Sequence, residues 1–182
     1  PARFDHDADT KFPLQGAHCR LRPWSPDDLA SLVRHANSKA VSSQLRDRFP
    51  YPYDEAVGRA FIALAAASVP PTALAIEVDG AAIGGTGVIP GQGNERRTAE
   101  VGYWLGAAYW GRGIAVDALA LVTRYAARTF GLVRLEAFVI DSNQRSRRVL
   151  EKAGYQNEGL RRQSFLKDGV IYDQCCYAWV AR

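Results

Sequence analysis

The sequence predicts a single-domain mixed α/β (α+β) fold: a mostly antiparallel sheet flanked by helices. Three features carry that prediction. A strand, a long helix and a second strand follow one another over residues 99–140, and such a crossover places its two strands parallel and adjacent. Asp79-Gly80 and Asp168-Gly169 each lie between apolar runs, a strong hairpin signal that makes the remaining pairs antiparallel. The chain has 182 residues, enough to bury a core without a disulfide or a metal.

Each element has a local reason. Residues 1–16 lack periodicity and read as an N-terminal arm, leaving 17–182 as the domain. HCRLRPW (18–24) reads as a short strand. Ser25-Pro26-Asp27-Asp28 is a helix start, with a hydroxyl N-cap, proline at the first helical position and acids in the first turn, running to about Ala36. RFPYPY (48–53) is extended or turning because of its two prolines. Asp54 caps a second helix, with Ala56, Ala60, Leu64 and Ala67 on one face, and Pro70-Pro71 ends it. TALAIEV (72–78) and AAIGGTGVI (81–89) form the first hairpin, and 90–98 is a polar, glycine-rich loop. AEVGYWL (99–105) is a strand. The helix over 113–130 buries Ile114, Ala118, Val122, Tyr125 and Ala126, with Gly131 as its stop. VRLEAFVI (133–140) is a strand, and Asp141-Ser142-Asn143 opens a short helix ending at Gly154. Residues 155–166 and 170–180 form the last hairpin.

Composition excludes several classes. The longest apolar stretch, Ala60–Val69, is half the roughly 20 residues that a membrane span needs. Residues 1–16 contain no apolar signal core, so the expectation is a cytoplasmic protein, monomer or homodimer. Cys19, Cys175 and Cys176 form no Cys-x-x-C pattern and only three His accompany them, so no metal site is expected and a reducing compartment fits. Net charge is +4, and 19 of the 23 basic residues are Arg. They are scattered without a long basic run, which argues against a nucleic-acid partner and for a pocket that takes a polyanionic small ligand.

Chemistry concentrates in Trp110-Gly111-Arg112-Gly113-Ile114-Ala115, between a strand and a long helix. Two glycines permit a tight turn and close approach of a bulky group. The free N–H groups of the following first turn, with the helix dipole, make an anion site of phosphate or pyrophosphate size. No Lys-Ser/Thr follows, so this is not a P-loop, and Val116 stands where a dinucleotide fingerprint needs its third glycine.

The segment AEVGYWLGAAYWGRGIAVDAL (99–119), followed by NQRSRRVLEKAGYQNEG (143–159), resembles the GNAT superfamily of acetyl-CoA-dependent N-acetyltransferases, and most of all the RimJ/RimL branch that acetylates ribosomal-protein N-termini. The resemblance implies acetyl-CoA as co-substrate and splayed parallel central strands. Its pyrophosphate turn falls on Trp110, Gly111, Arg112, Gly113, Ile114 and Ala115, with Trp110 where the family has Arg or Gln. The pantetheine arm would pair with backbone near Tyr103, Trp104 and Leu105. Asn143 and Ser146 would face pantetheine and thioester, and Arg148, with Lys152, the 3′-phosphate or adenine side, unless these two form a solvated helix face. The acceptor is a primary amine: a protein N-terminus by the branch, or a small molecule such as a polyamine, aminoglycoside or amino acid.

Direct attack on a thioester requires an amine base, oxyanion donors and a proton for the thiolate. Glu100 is the candidate base, or else an ion-pair partner lining the acceptor cleft. Glu158 reads as a strand-start carboxylate. Ser146 is the candidate donor to the thiolate, since Leu150 stands where many members carry a tyrosine acid. That substitution keeps open a non-catalytic CoA-binding module. Tyr155 and the Cys175–Cys176 pair read as packing, Asp117 as a dipole partner, and Tyr51, Tyr53 and Asp54 as shapers of the acceptor cleft.

Overall fold

The computed structural model describes residues 10–181. Two short strands come first, β1 (Leu14–Gln15) and β2 (Arg20–Pro23). A single 3-10 turn (Pro26–Asp28) leads into α1 (Leu29–Ala36), and Ser25 and Asp28 form a reciprocal capping box there. Next come α2 (Lys39–Ser42) and α3 (Glu55–Ala66), the latter capped by Asp54 through the Val57 amide at 2.9 Å. The hairpin β3 (Ala73–Val78) and β4 (Ala81–Pro90) precedes β5 (Thr98–Leu105), α4 (Ile114–Thr129) and β6 (Arg134–Ile140). The chain ends with α5 (Gln144–Lys152) and the hairpin β7 (Gln156–Lys167) and β8 (Val170–Val180).

The strands form one sheet in the order β1-β2-β3-β4-β5-β6-β8-β7. Among the described residues only β5 and β6 pair in parallel; the other neighbours are antiparallel. Both Asp-Gly turns have two consecutive positive φ angles, 49° and 79° at Asp79-Gly80 and 49° and 78° at Asp168-Gly169. That geometry matches the twist of the flanking strands.

Strand alternation sends neighbouring side chains into two cores. Ile76, Ile83 and Leu135 pack with Leu119 and Val122 of α4, while Ala75 and Ala82 pack with Leu32 of α1 and Ile62 of α3. The sheet is therefore covered on both faces. Fully burying one such leucine contributes about 1.5–3 kcal/mol, and Leu32, Leu119 and Leu135 are all fully buried.

The structure corrects one expectation and adds to two others. The arm predicted over 1–16 includes strand: Leu14 and Gln15 pair with Leu21 and Arg20; residues 1–9 lie outside the described residues. The short helix α2 was not foreseen. The stripe Ala56, Ala60, Leu64 and Ala67 is one face of α3, but it is the exposed one, with Leu64 at 73%. Gly58, Ile62 and Ala65 are buried instead. No helix among the described residues is long and apolar enough to cross a membrane.

Candidate active site

β5 and β6 pair only at Thr98–Glu100 with Arg134–Glu136. Beyond that point they separate, and a cavity of about 1020 Å³ opens between Val101–Leu105 and Ala137–Ile140. The other edge of β5 stays paired with β4 to its end: Gly106 N–H donates to the Ile83 carbonyl at 2.8 Å, and Thr86 Oγ1 donates to the Gly102 carbonyl at 3.0 Å. Main-chain groups alternate along a strand, so Gly102 and Trp104 face β4 while Val101, Tyr103 and Leu105 face the gap. The Trp110 indole N–H already donates to the Leu105 carbonyl at 3.0 Å. Trp104 thus departs from the trio expected to offer backbone to a ligand. What remains open is a strand edge able to pair with an extended amide-bearing chain.

The turn closes one end of this gap. Gly111 and Gly113 both have φ of 78°, and Gly113 stands at the start of the 16-residue α4. Among the described residues, no group accepts a hydrogen bond from the amides of Gly111, Arg112, Gly113, Ile114 or Ala115, whereas the Asp117 amide donates to the Gly113 carbonyl. Trp110 through Ala115 all line the cavity. Arg112 lies over the Tyr109 ring at 5.5 Å and Arg145 over the Trp110 ring at 4.4 Å. Arg145, Arg148 and Lys152 line the same mouth, making it cationic. Asp117 does more than complement a dipole: its Oδ2 accepts from the amides of His18 at 2.7 Å and Cys19 at 3.2 Å, tying the approach to β2 onto α4. Burial, reinforced by Asp117, pushes the Cys19 thiol up to about 12, which leaves it unreactive.

Asn143 caps α5 by accepting from the Ser146 amide at 3.1 Å. The Ser146 hydroxyl lies 2.7 Å from the Tyr103 hydroxyl, and Tyr103 also donates to the Ser146 carbonyl at 3.2 Å. Burial pushes Tyr103 up to about 12, outweighing the Ser146 hydrogen bond, so it stays protonated at neutral pH. Leu150 is buried in the core. Tyr155 is core too, its hydroxyl 2.7 Å from Thr123 Oγ1. Cys175 is buried and donates to Asp141 at 3.0 Å.

Glu100 lines the cavity, and its Oε1 accepts from Arg46 Nη2 at 2.7 Å. Glu158 lies on exposed β7, paired with Arg134 away from the cavity. Around Glu100 the wall is aromatic. Phe49 contacts Trp104 with ring centroids 5.2 Å apart and Tyr53 at 5.1 Å, and Trp24 meets Phe61 at 5.3 Å. The Trp24 indole N–H is buried without a partner. Tyr51 lies apart, in a small polar pocket with Lys39 and Asp168. Sequence reasoning missed Arg46, Phe49, Trp24 and Arg145. Only Arg145 had a local signal, since it sits between Asn143 and Ser146.

A sheet splayed between two parallel strands, with an amide-lined turn at its mouth, can hold an extended ligand along a strand edge and an anionic group at the turn. Comparison with known proteins makes this specific. Residues 18–156 match the acetyltransferase (GNAT) domain, and the chain belongs to that family. An uncharacterised N-acetyltransferase of Bacillus subtilis, YoaA, is 36% identical over 86 residues, 47% of this chain and 49% of that protein. The [ribosomal protein uS5]-alanine N-acetyltransferase of Escherichia coli is 33% identical over 73 residues, 40% of this chain and 38% of that protein. The chain thus spans about half or less of the length of these curated relatives. Among solved structures, RimJ of Mycobacterium smegmatis in complex with CoA-disulfide superposes with a TM-score of 0.79 at 26% identity, covering 92% of this chain and 86% of that one.

Proposed function

We propose that this chain transfers the acetyl group of acetyl-CoA to a primary amine by direct attack on the thioester. One observation carries the reading: the uncommitted amides from Gly111 to Ala115 open onto the unpaired edge of β5. A diphosphate on the turn would be met by converging N–H donors and a helix N-terminus. An extended pantetheine would then run along Tyr103 and Leu105 toward Ser146. The solved complex of RimJ with a CoA disulfide supports the same ligand class.

The chain's own groups supply three tasks. Glu100, from the acceptor half, takes the amine proton directly or through water. A gap-facing N–H of β5 stabilises the oxyanion formed when nitrogen attacks the carbonyl carbon. As the carbon–sulfur bond breaks, the Ser146 hydroxyl donates a hydrogen bond to the departing thiolate, which leaves as CoA thiolate and is protonated by solvent. The Tyr103–Ser146 hydroxyl pair answers the absence of a tyrosine at Leu150, and this favours catalysis over a module that only binds CoA. The kinship with an enzyme that acetylates a ribosomal-protein alanine makes a protein N-terminus one acceptor class, and the aromatic wall makes a small amine the other.

Isothermal titration of acetyl-CoA into the protein, followed by thiol release on adding amines, tests this. Saturable binding and amine-dependent thiol release are expected. Absence of heat at high micromolar acetyl-CoA would sink the proposal.

A further inference from the structure

The acceptor half of the cavity has a charge pattern that no turn motif explains. Among the described residues lining the cavity, Glu100 is the only acidic side chain, and Arg46 already holds it. Arg48 adds a further cation to the same wall. The rest of that wall is rings. A Cβ on Gly85 would stand 2.8 Å from Trp104 Nε1 and 3.1 Å from Trp24 Cζ2, so the two indoles converge over β4 where a side chain is missing. Phe49 and Phe61 extend this surface through their ring contacts.

Charge and shape both select. A polycation entering this half meets the two guanidiniums with one carboxylate to share, and facing like charges are disfavoured. A single amine needs only Glu100. A flat apolar body gains from burial against aromatic edges and faces. Resting on the acetyl-transfer reading above, we infer that the acceptor is a single primary amine on an aromatic body otherwise neutral or anionic, and that polyamines and aminoglycosides are rejected. A free aromatic amine and the first residue of a polypeptide beginning with an aromatic side chain present the same chemistry.

The test uses the full chain, acetyl-CoA and thiol release with phenethylamine, phenylalanine, a short peptide beginning with phenylalanine, propylamine and spermidine. The aromatic amines are expected to exceed propylamine and spermidine in kcat/KM by about tenfold or more, the gain expected from burying one phenyl ring. Preference for the peptide or for the free amines assigns the source, and either supports the inference. Spermidine or propylamine matching the best aromatic amine overturns it. The exposed Arg48 gives a second reading: R48E adds a carboxylate and is expected to raise the spermidine-to-phenethylamine ratio, and an unmoved ratio counts against the charge argument. Calorimetry with acetyl-CoA separates the two readings. Lost donor binding condemns acetyl transfer itself, whereas retained binding with polyamine turnover condemns only the acceptor class.

Discussion

Alanine at Gly111 isolates the turn from the rest of the site. Gly111 has φ of 78° with nothing within 4 Å of where a Cβ would stand, so the substitution adds strain without a clash. An L-residue held in that left-handed region costs about 1–2 kcal/mol. With no ligand to hold it, the exposed turn of the variant is expected to relax to negative φ, and binding must then restore the strained form. The affinity for acetyl-CoA is therefore expected to fall by about 5- to 30-fold, since about 1.4 kcal/mol corresponds to tenfold. Gly80 supplies the control. Its φ is 79°, it too has open space around it, and it turns the β3–β4 hairpin outside the cavity. At Gly80 the paired Val78 and Ala81 hold the turn in its left-handed form, so the cost in G80A goes to stability, about 2–4 °C of melting temperature per kcal/mol in a domain of this size. Calorimetric titration and thermal melts of both variants complete the comparison. If G111A binds acetyl-CoA within a factor of two of the parent protein, the amides of the turn are not the clamp and the site must be reassigned.

Three further outcomes follow from the same geometry. S146A and Y103F are each expected to lower kcat by about tenfold to hundredfold, the worth of one hydrogen bond to a charged group, with acetyl-CoA affinity nearly unchanged. Steady-state kinetics of the double variant should show no further loss beyond S146A, because Tyr103 acts through that hydroxyl; full additivity would assign Tyr103 to packing. E100Q keeps the shape of the acceptor wall and removes the proposed proton acceptor, so kcat/KM is expected to fall by about a hundredfold, and an unchanged value transfers the role of base to water. Acid stability has its own signature. The hydrogen bond from Arg22, joined by Arg20, outweighs burial and holds Glu77 below its ordinary range. Burial pushes Asp28 up, but the Arg22 fork at 2.7 and 2.8 Å and the Ser25 amide outweigh it and hold Asp28 low as well. Both carboxylates titrate lower when folded, so their stabilisation is present above the unfolded carboxylate range and is lost as pH falls through the depressed values. Melts from neutral to acid pH should steepen there, and E77Q should be less stable at neutral pH with a flatter acid limb.

The legible parts of the fold are those set by rules that act over a few neighbouring residues. Asp-Gly at 79–80 and 168–169 demands two positive φ angles, and both hairpins form there. The strand–helix–strand run over 99–140 gives the one parallel pair. Misread elements depend on distant partners. Leu14–Gln15 is too short to carry a periodic signal and becomes strand only because β2 presents an edge. Which face of α3 turns inward is not legible because this helix is apolar nearly all round. Gly58, Ile62 and Ala65 turn inward, and Ala60 and Leu64 are left to line the cavity. An apolar residue that serves a site looks, in sequence, like one that serves a core.

The same division runs through the site itself. Its donor half is built from main-chain amides, and a main chain can be read wherever glycines fix its path, as at Gly111 and Gly113. Its acceptor half is built from side chains that meet only after folding: Arg46 from the segment after α2 reaches Glu100 on β5, and Phe49 reaches Trp104. Neither contact leaves a trace in local spacing. Two consequences follow for how such a domain diversifies. Substitutions in the segment from Lys39 to Tyr53 can change the acceptor while the turn and the β5 edge keep the donor unchanged. Conversely, loss of either turn glycine should weaken donor binding for every acceptor alike, so the ratio of turnover between two amines at saturating acetyl-CoA is the quantity that separates the two halves.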